Sequence, residues 1–301
     1  MNEGPKIVLA LLLGAGTLQP SLRAIASEEE TRPAKESASP AAVLKHVATP
    51  APDVPFREFE DKAERQLLDL ANQSRAEAGA SPLTFDSGLC QAARIHAQAM
   101  LEARQLSHRF EGELSLPQRL AAKTHLQLDQ EGENVAIDYS AESGHQHLML
   151  SPPHRANLLN PVYNVVGLAV VRSGERLYIV EDFGHAIPYY SVAEIKDLIA
   201  TAVNRLRRQA NLPRLQPADL PTADDASCAM ARSDHLDTPY VHQLAARYTL
   251  LTFTSLQPET LPAAATHAIN GPNLHTALIG VCYSRTDTYP TGVYWVVLAL
   301  D

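Results

Sequence analysis

Cysteine, tryptophan and runs of positive charge are all scarce in this chain, and each scarcity removes a class of answer. Three cysteines in 301 residues, Cys90, Cys228 and Cys282, are too few for a disulfide scaffold. They allow one pair and leave one thiol over, with nothing to say which. Lys and Arg number 25 against 34 Asp and Glu, for a net charge of -9, and no basic block interleaves with aromatics. That balance argues against a nucleic-acid surface. No G-x-S-x-G elbow occurs, so Ser-His-Asp catalysis has little support. The apolar run near the start, Ile7 to Leu18, is short for a membrane span.

What is present at the N-terminus has a consistent reading. Lys6 precedes the apolar run, and Ala24-Ile25-Ala26 follows it. A positive residue, a short apolar region and an A-x-A site spell a secretory signal peptide over 1–26, with the mature chain starting near Ser27. An uncleaved anchor is the bland alternative. No lipobox cysteine lies nearby. The expected location is therefore secreted, periplasmic or cell-envelope, with no stable transmembrane span in the mature protein. Residues 27–55 are rich in Glu, Ala, Pro and Ser, and Pro33, Pro40, Pro50, Pro52 and Pro55 forbid a long helix, so this is a linker. The length and a 45 % hydrophobic content favour two domains beyond it.

Helical spacing begins at Phe56 and continues to Ala78, with Gly79 as a left-handed stop. Asp86 is a good N-cap for a second helix carrying Leu89, Ala93, Ala97 and Met100, with His96 on the same stripe as a packed histidine, a ligand being the alternative. Ser115 and Pro117 open a short helix to Ala122, and Thr124 to Glu131 reads as loop. Val135 to Ile137 reads as a short strand or a loop exit. Ser140 caps a helix over Ala141 to Leu150, on which His145 faces the apolar side and His147 faces solvent. Val165 to Val171 and Arg176 to Phe183 form a hairpin about Arg172-Ser173-Gly174-Glu175.

Four short motifs follow one another along the chain. They are Ser107-His108, then Gly132-Glu133-Asn134-Val135-Ala136, then Pro153-His154-Arg155-Ala156-Asn157-Leu158-Leu159-Asn160-Pro161, and Gly167 in the following strand. Together they resemble the bacterial branch of the CAP superfamily (cysteine-rich secretory proteins, antigen 5, pathogenesis-related 1). The resemblance covers about 56–191 and implies an α/β fold, an α-β-α sandwich. Beyond Ser191 the chain echoes itself. Asn72-Gln73-Ser74-Arg75 returns as Asn204-Arg205-Leu206-Arg207, Cys90-Gln91-Ala92-Ala93-Arg94 as Cys228-Ala229-Met230-Ala231-Arg232, and Val166-Gly167-Leu168 as Ile279-Gly280-Val281. Residues 192–301 are thus expected to be a second, degenerate CAP-like copy, the two in tandem. An unrelated helix-then-strand domain is the alternative. The second copy lacks Gly-Glu-Asn and the motif histidine.

In CAP proteins a cleft gathers two histidines and two acidic residues, and divalent metal has been placed there. The resemblance carries this onto His108, Glu133 and His154, a ligand set that suits zinc with a position left for water or substrate. For the fourth member the helix before Pro152 offers His145 or Glu142, and His145 is the expected one. Each residue also has a structural reading: Glu133 and Asn134 as loop braces, His154 as a cap, Ser107-His108 as a helix stop. Three functions compete. The leading one is an exported binding module whose cleft takes a metal and a small ligand, lipid or peptide. The others are a metal-dependent hydrolase with Glu133 as general base, and a purely structural envelope module.

Overall fold

In the computed structural model, residues 7–9 and 59–301 are described. The linker, and the proposed leader apart from Ile7–Leu9, lie outside them. Ile7–Leu9 forms strand β1. The first half then runs α1 (Asp61–Glu77), β2 (Thr84–Phe85), α2 (Ser87–Ala103), α3 (Leu116–Ala121), β3 (Gln127–Asp138), α4 (Ala141–Leu150), α5 (Pro152–Leu158), β4 (Val165–Ser173) and β5 (Arg176–Ile187). Its sheet has the order β2-β4-β5-β3, with β2 parallel to β4 and the other neighbours antiparallel.

Helices cover both faces of this sheet. Leu67 and Ala71 of α1, Ala141 and Leu148 of α4 and Leu158 of α5 pack with Leu168, Ile179 and Phe183 on one side. Ala93, Ala97 and Met100 of α2 pack with Val135, Ala169 and Val180 on the other. The α-β-α sandwich follows from strands that are apolar on both faces, a pattern only a doubly covered sheet can bury. The caps act as the sequence suggests. The Asp86 side chain accepts from Leu89 N at 2.8 Å, Ser140 accepts from Ser143 N, and Gly79 turns with φ +75°. One expectation fails: Gln127 to Glu131 is not loop but the first part of the twelve-residue β3. Its polar residues conceal a strand because an edge strand tolerates them where solvent reaches one side.

The second half is α6 (Val192–Gln209), β6 (Gln216–Ala218), α7 (Pro221–Ser233), α8 (Pro239–Ala245), β7 (Thr249–Ser255), α9 (Ala265–Ile269), β8 (Thr276–Ser284) and β9 (Val293–Leu300). Its sheet has the order β6-β8-β9-β7, with β1 added parallel to β7. Setting β1 aside, the order and the strand directions repeat those of the first sheet.

Details repeat too. Arg75 is fully buried and donates to the carbonyls of Ser81, Leu158, Asn160 and Tyr163. Arg207, also fully buried, donates to those of Pro213, Ile269, Gly271 and Leu274. Asn72 exchanges two bonds with the Leu83 backbone, and Asn204 does the same with Leu215. Gly167 and Gly280 are each pressed against a helix: a Cβ would lie 2.1 Å from the backbone of Leu89 in one case and of Ala223 in the other.

The cysteine echo is displaced. The helix residues crossing the two glycines are Leu89-Cys90 and Ala223-Asp224, so Cys228 stands four residues (228 − 224), about one helical turn, beyond the position matching Cys90. Cys228 is bonded to Cys282 instead, and Cys90 is free.

Candidate functional site

The site is built where β3, β5 and three short segments meet. Glu133 and Asp182 face each other across the β3–β5 ladder, as do Asn134 and Glu181. Alternation along a strand sends each pair to its own face of the sheet. Glu133 and Asp182 therefore lie with Val135 on the α2 and α3 side, and Asn134 and Glu181 lie beneath α5.

Glu133 is buried, and both its oxygens are taken. Oε1 is 2.8 Å from His108 Nδ1, and Oε2 accepts from the Arg119 guanidinium of α3. Arg119 also reaches the His108 carbonyl at 3.3 Å. Behind them His96 is fully buried, with Nδ1 2.7 Å from Glu113 Oε1 and Nε2 2.8 Å from the Ser107 carbonyl. The packed-histidine reading of His96 holds, and its packing anchors the turn that presents His108. The His108 ring itself is 60 % exposed. Its bond to Glu133 raises its pKa, opposed by partial burial.

On the other face Asn134 Nδ2 donates to the His154 carbonyl and to Glu181 Oε2, each at 3.1 Å, while Asn157 Nδ2 donates to Asn134 Oδ1 at 3.0 Å. The Gly-Glu-Asn stretch thus holds the His154 turn through its backbone. His154 Nδ1 is 2.9 Å from Ser151 Oγ. Burial lowers the His154 pKa, and the charge of His108 lowers it further.

His145 goes elsewhere. It is buried as expected, but its Nε2 is 2.9 Å from Ser74 Oγ of α1. Burial lowers its pKa. Glu142 is exposed and accepts from Gln66 of α1. Both residues serve the α1–α4 contact, because the apolar side of α4 faces α1 rather than the β3 end. Among the described residues no group of three or more His, Cys, Asp or Glu side chains is assembled for a metal.

Two buried acids complete the picture. Burial pushes the Glu181 carboxyl up to about 7, and its Oε1 has no hydrogen-bond partner. Burial, with Glu133 as the next cause, pushes Asp182 well above the usual carboxylate range.

The model of the cysteine-rich secretory protein family, CAP, matches residues 68–191. These residues are a CAP domain. Two Bacillus subtilis (strain 168) relatives are similar to it. YlbC, described as an uncharacterized membrane protein, is 30% identical over 132 residues, which are 44% of this chain and 37% of that protein. YkwD, described as uncharacterized, is 26% identical over 155 residues, 48% of this chain and 60% of that protein. The match thus spans between about a third and three fifths of these relatives. A solved extracellular protein with an SCP domain from Bacillus anthracis str. Ames is 25% identical, with TM-score 0.37, over 42% of this chain and 41% of that one.

The second sheet has none of the CAP domain's polar pairs. Gly167 pairs with Asp182 and Gly280 with Val297, which sets the correspondence. On it, Thr252 opposite Val297 and Phe253 opposite Val296 stand where Glu133–Asp182 and Asn134–Glu181 stand in the CAP domain. The residues the sequence reading missed are Arg119, Glu113, Glu181 and Asp182. The last two had a signal: adjacent carboxylates in an otherwise apolar run, Tyr178 to Phe183, are rarely buried without a role.

Proposed function

We propose that the protein is an exported CAP-domain binding module whose cleft takes a divalent cation, zinc being the best fit, through His108 and His154. The observation that carries this reading is the engagement of Nδ1 on both rings, His108 by Glu133 at 2.8 Å and His154 by Ser151 at 2.9 Å. Each Nε2 is then left without a protein partner among the described residues. A carboxylate on one imidazole nitrogen fixes the tautomer and strengthens the other as a ligand. Glu133 therefore supports a ligand instead of being one, since Arg119 holds its second oxygen. A zinc ion on two imidazoles keeps positions for water or for a carboxylate or carbonyl of a small ligand or peptide, which it would polarise.

The hydrolase reading, with Glu133 as base, has less support because both Glu133 oxygens face protein donors. Calorimetric titration with zinc tests the proposal. Glu133→Gln should bind about 10–100-fold more weakly than wild type, the usual cost of losing an outer carboxylate. Equal affinity would show that Glu133 has no part in it.

Export is supported by the leader-like segment and by the Cys228–Cys282 bond, which persists in oxidising compartments. Among the described residues no helix is long and apolar enough to cross a membrane. N-terminal sequencing of the exported form should begin near Ser27, and a start at Met1 would contradict the leader. Residues 56–191 and 192–301 are read as a working CAP unit and a degenerate copy. The repeated strand order and the matched Arg75 and Arg207 contacts support that reading, and an experimental structure with a different strand order in the second half would end it.

A further inference from the structure

α3 has six residues, too few to hold a helix by its own hydrogen bonds, yet it carries the arginine that pairs with Glu133. Its N-terminal end is closed by a capping box of Ser115 and Gln118. Its C-terminal end is closed from the other half of the chain. Arg285, between β8 and β9, donates from Nη1 to the Ala121 carbonyl at 2.7 Å. Its Nη2 donates to the Thr124 carbonyl at 2.9 Å, and to that of Leu126 at a long 3.5 Å. Thr291 Oγ1 donates to the Leu128 carbonyl at 3.0 Å, near the start of the strand that carries Glu133.

The joining segment is fixed as well. Tyr190 N donates to the Tyr294 hydroxyl at 2.8 Å, and that hydroxyl donates back to the Tyr190 carbonyl at 2.9 Å. Tyr189 stands edge-on to Tyr283 with ring centroids 5.1 Å apart.

The last carbonyls of a helix have no partners within it, and a cation there satisfies them and complements the helix dipole. A guanidinium is suited to this because its rigid fork bonds several carbonyls at once, which an ammonium does less well. We infer that Arg285 is a positioning residue of the cleft. By holding the last carbonyl of α3 and those just beyond it, it keeps Arg119 against Glu133 and so fixes the orientation of His108. The second half, without cleft chemistry of its own, then acts as a clamp on the first. This deepens the reading of the Glu133 cleft as the working site and rests on it.

The test uses the metal-free full chain, so a failure of zinc binding leaves its outcome intact. The ¹⁵N shifts of the His108 ring report which nitrogen holds the proton, and amide exchange reports the order of α3. Arg285→Ala should move the His108 ring shifts in the same direction as Arg119→Ala. It should also speed exchange of the α3 amides by roughly tenfold or more, while β8 and β9 amides keep their protection. Arg285→Lys should fall between wild type and Arg285→Ala. Unchanged His108 shifts in Arg285→Ala would overturn the inference, as would a change that comes only with loosening of β8 and β9. If Arg285→Ala does not fold, Arg285→Lys decides: wild-type ring shifts in that variant would overturn it equally.

Discussion

Glu181 lies in the buried core beneath α5, with Oε2 accepting from Asn134 Nδ2 and Oε1 without a hydrogen-bond partner. Burial favours its neutral form, and its pKa is pushed up to about 7. The sign of the consequence follows from linkage. The native state holds this proton more tightly than the unfolded chain, so the stabilisation is complete below the unfolded value and is lost as pH rises through the native one. Glu181→Gln keeps the neutral shape and an acceptor for Asn134. It should therefore be more stable than wild type above pH 7, by up to about 3 kcal/mol, and nearly equal to it near pH 4. Urea unfolding at both pH values checks this, and a Glu181→Gln variant less stable than wild type at pH 8 would show that the charge is compensated. His108 has a raised pKa from Glu133, so its contribution is likewise present below the unfolded value and fades as pH rises.

The gap between α2 and β4 is governed by a single missing side chain. A Cβ on Gly167 would meet the Leu89 backbone at 2.1 Å, and backbone cannot turn aside as a side chain can. Gly167→Ala should cost about 3 kcal/mol, at the upper end for overpacking, and a thermal unfolding midpoint close to wild type would refute the close packing. Most elements were legible because their signals are local: Asp86 and Ser140 as caps, Gly79 as a stop, and apolar spacing along α1, α2 and α4. The burial of His145 was legible for the same reason. Its partner was not, because a helical wheel gives the side of α4 and not what lies across from it, which is Ser74. Arg119 and Glu113 were hidden by tertiary pairing across separate segments. The first part of β3 was hidden because its hydrogen bonds, not its apolar content, make it a strand.

At the scale of the molecule the two halves share one strand order and differ in the residues that fill it. The first half buries Glu133, Glu181 and Asp182, whereas Thr252, Phe253, Val296 and Val297 stand at the corresponding sheet positions of the second half. The second half has a disulfide between α7 and β8 across a separation of 54 residues. Closing a loop of that length is worth about 4 kcal/mol in the chain-entropy account. Cys228→Ser with Cys282→Ser should lower the unfolding free energy by roughly that amount, and an unchanged value would mean the bond adds nothing to the fold.

The proposed cleft binds zinc through His108 and His154, with His145 taking no part. Zinc titration calorimetry on the wild type, a His108→Ala/His154→Ala double variant and a His145→Ala variant tests this most directly. One zinc should bind per wild-type chain and none to the double variant, and His145→Ala should retain binding. No zinc bound by the wild type, binding unchanged in the double variant, or binding lost only in His145→Ala would contradict it.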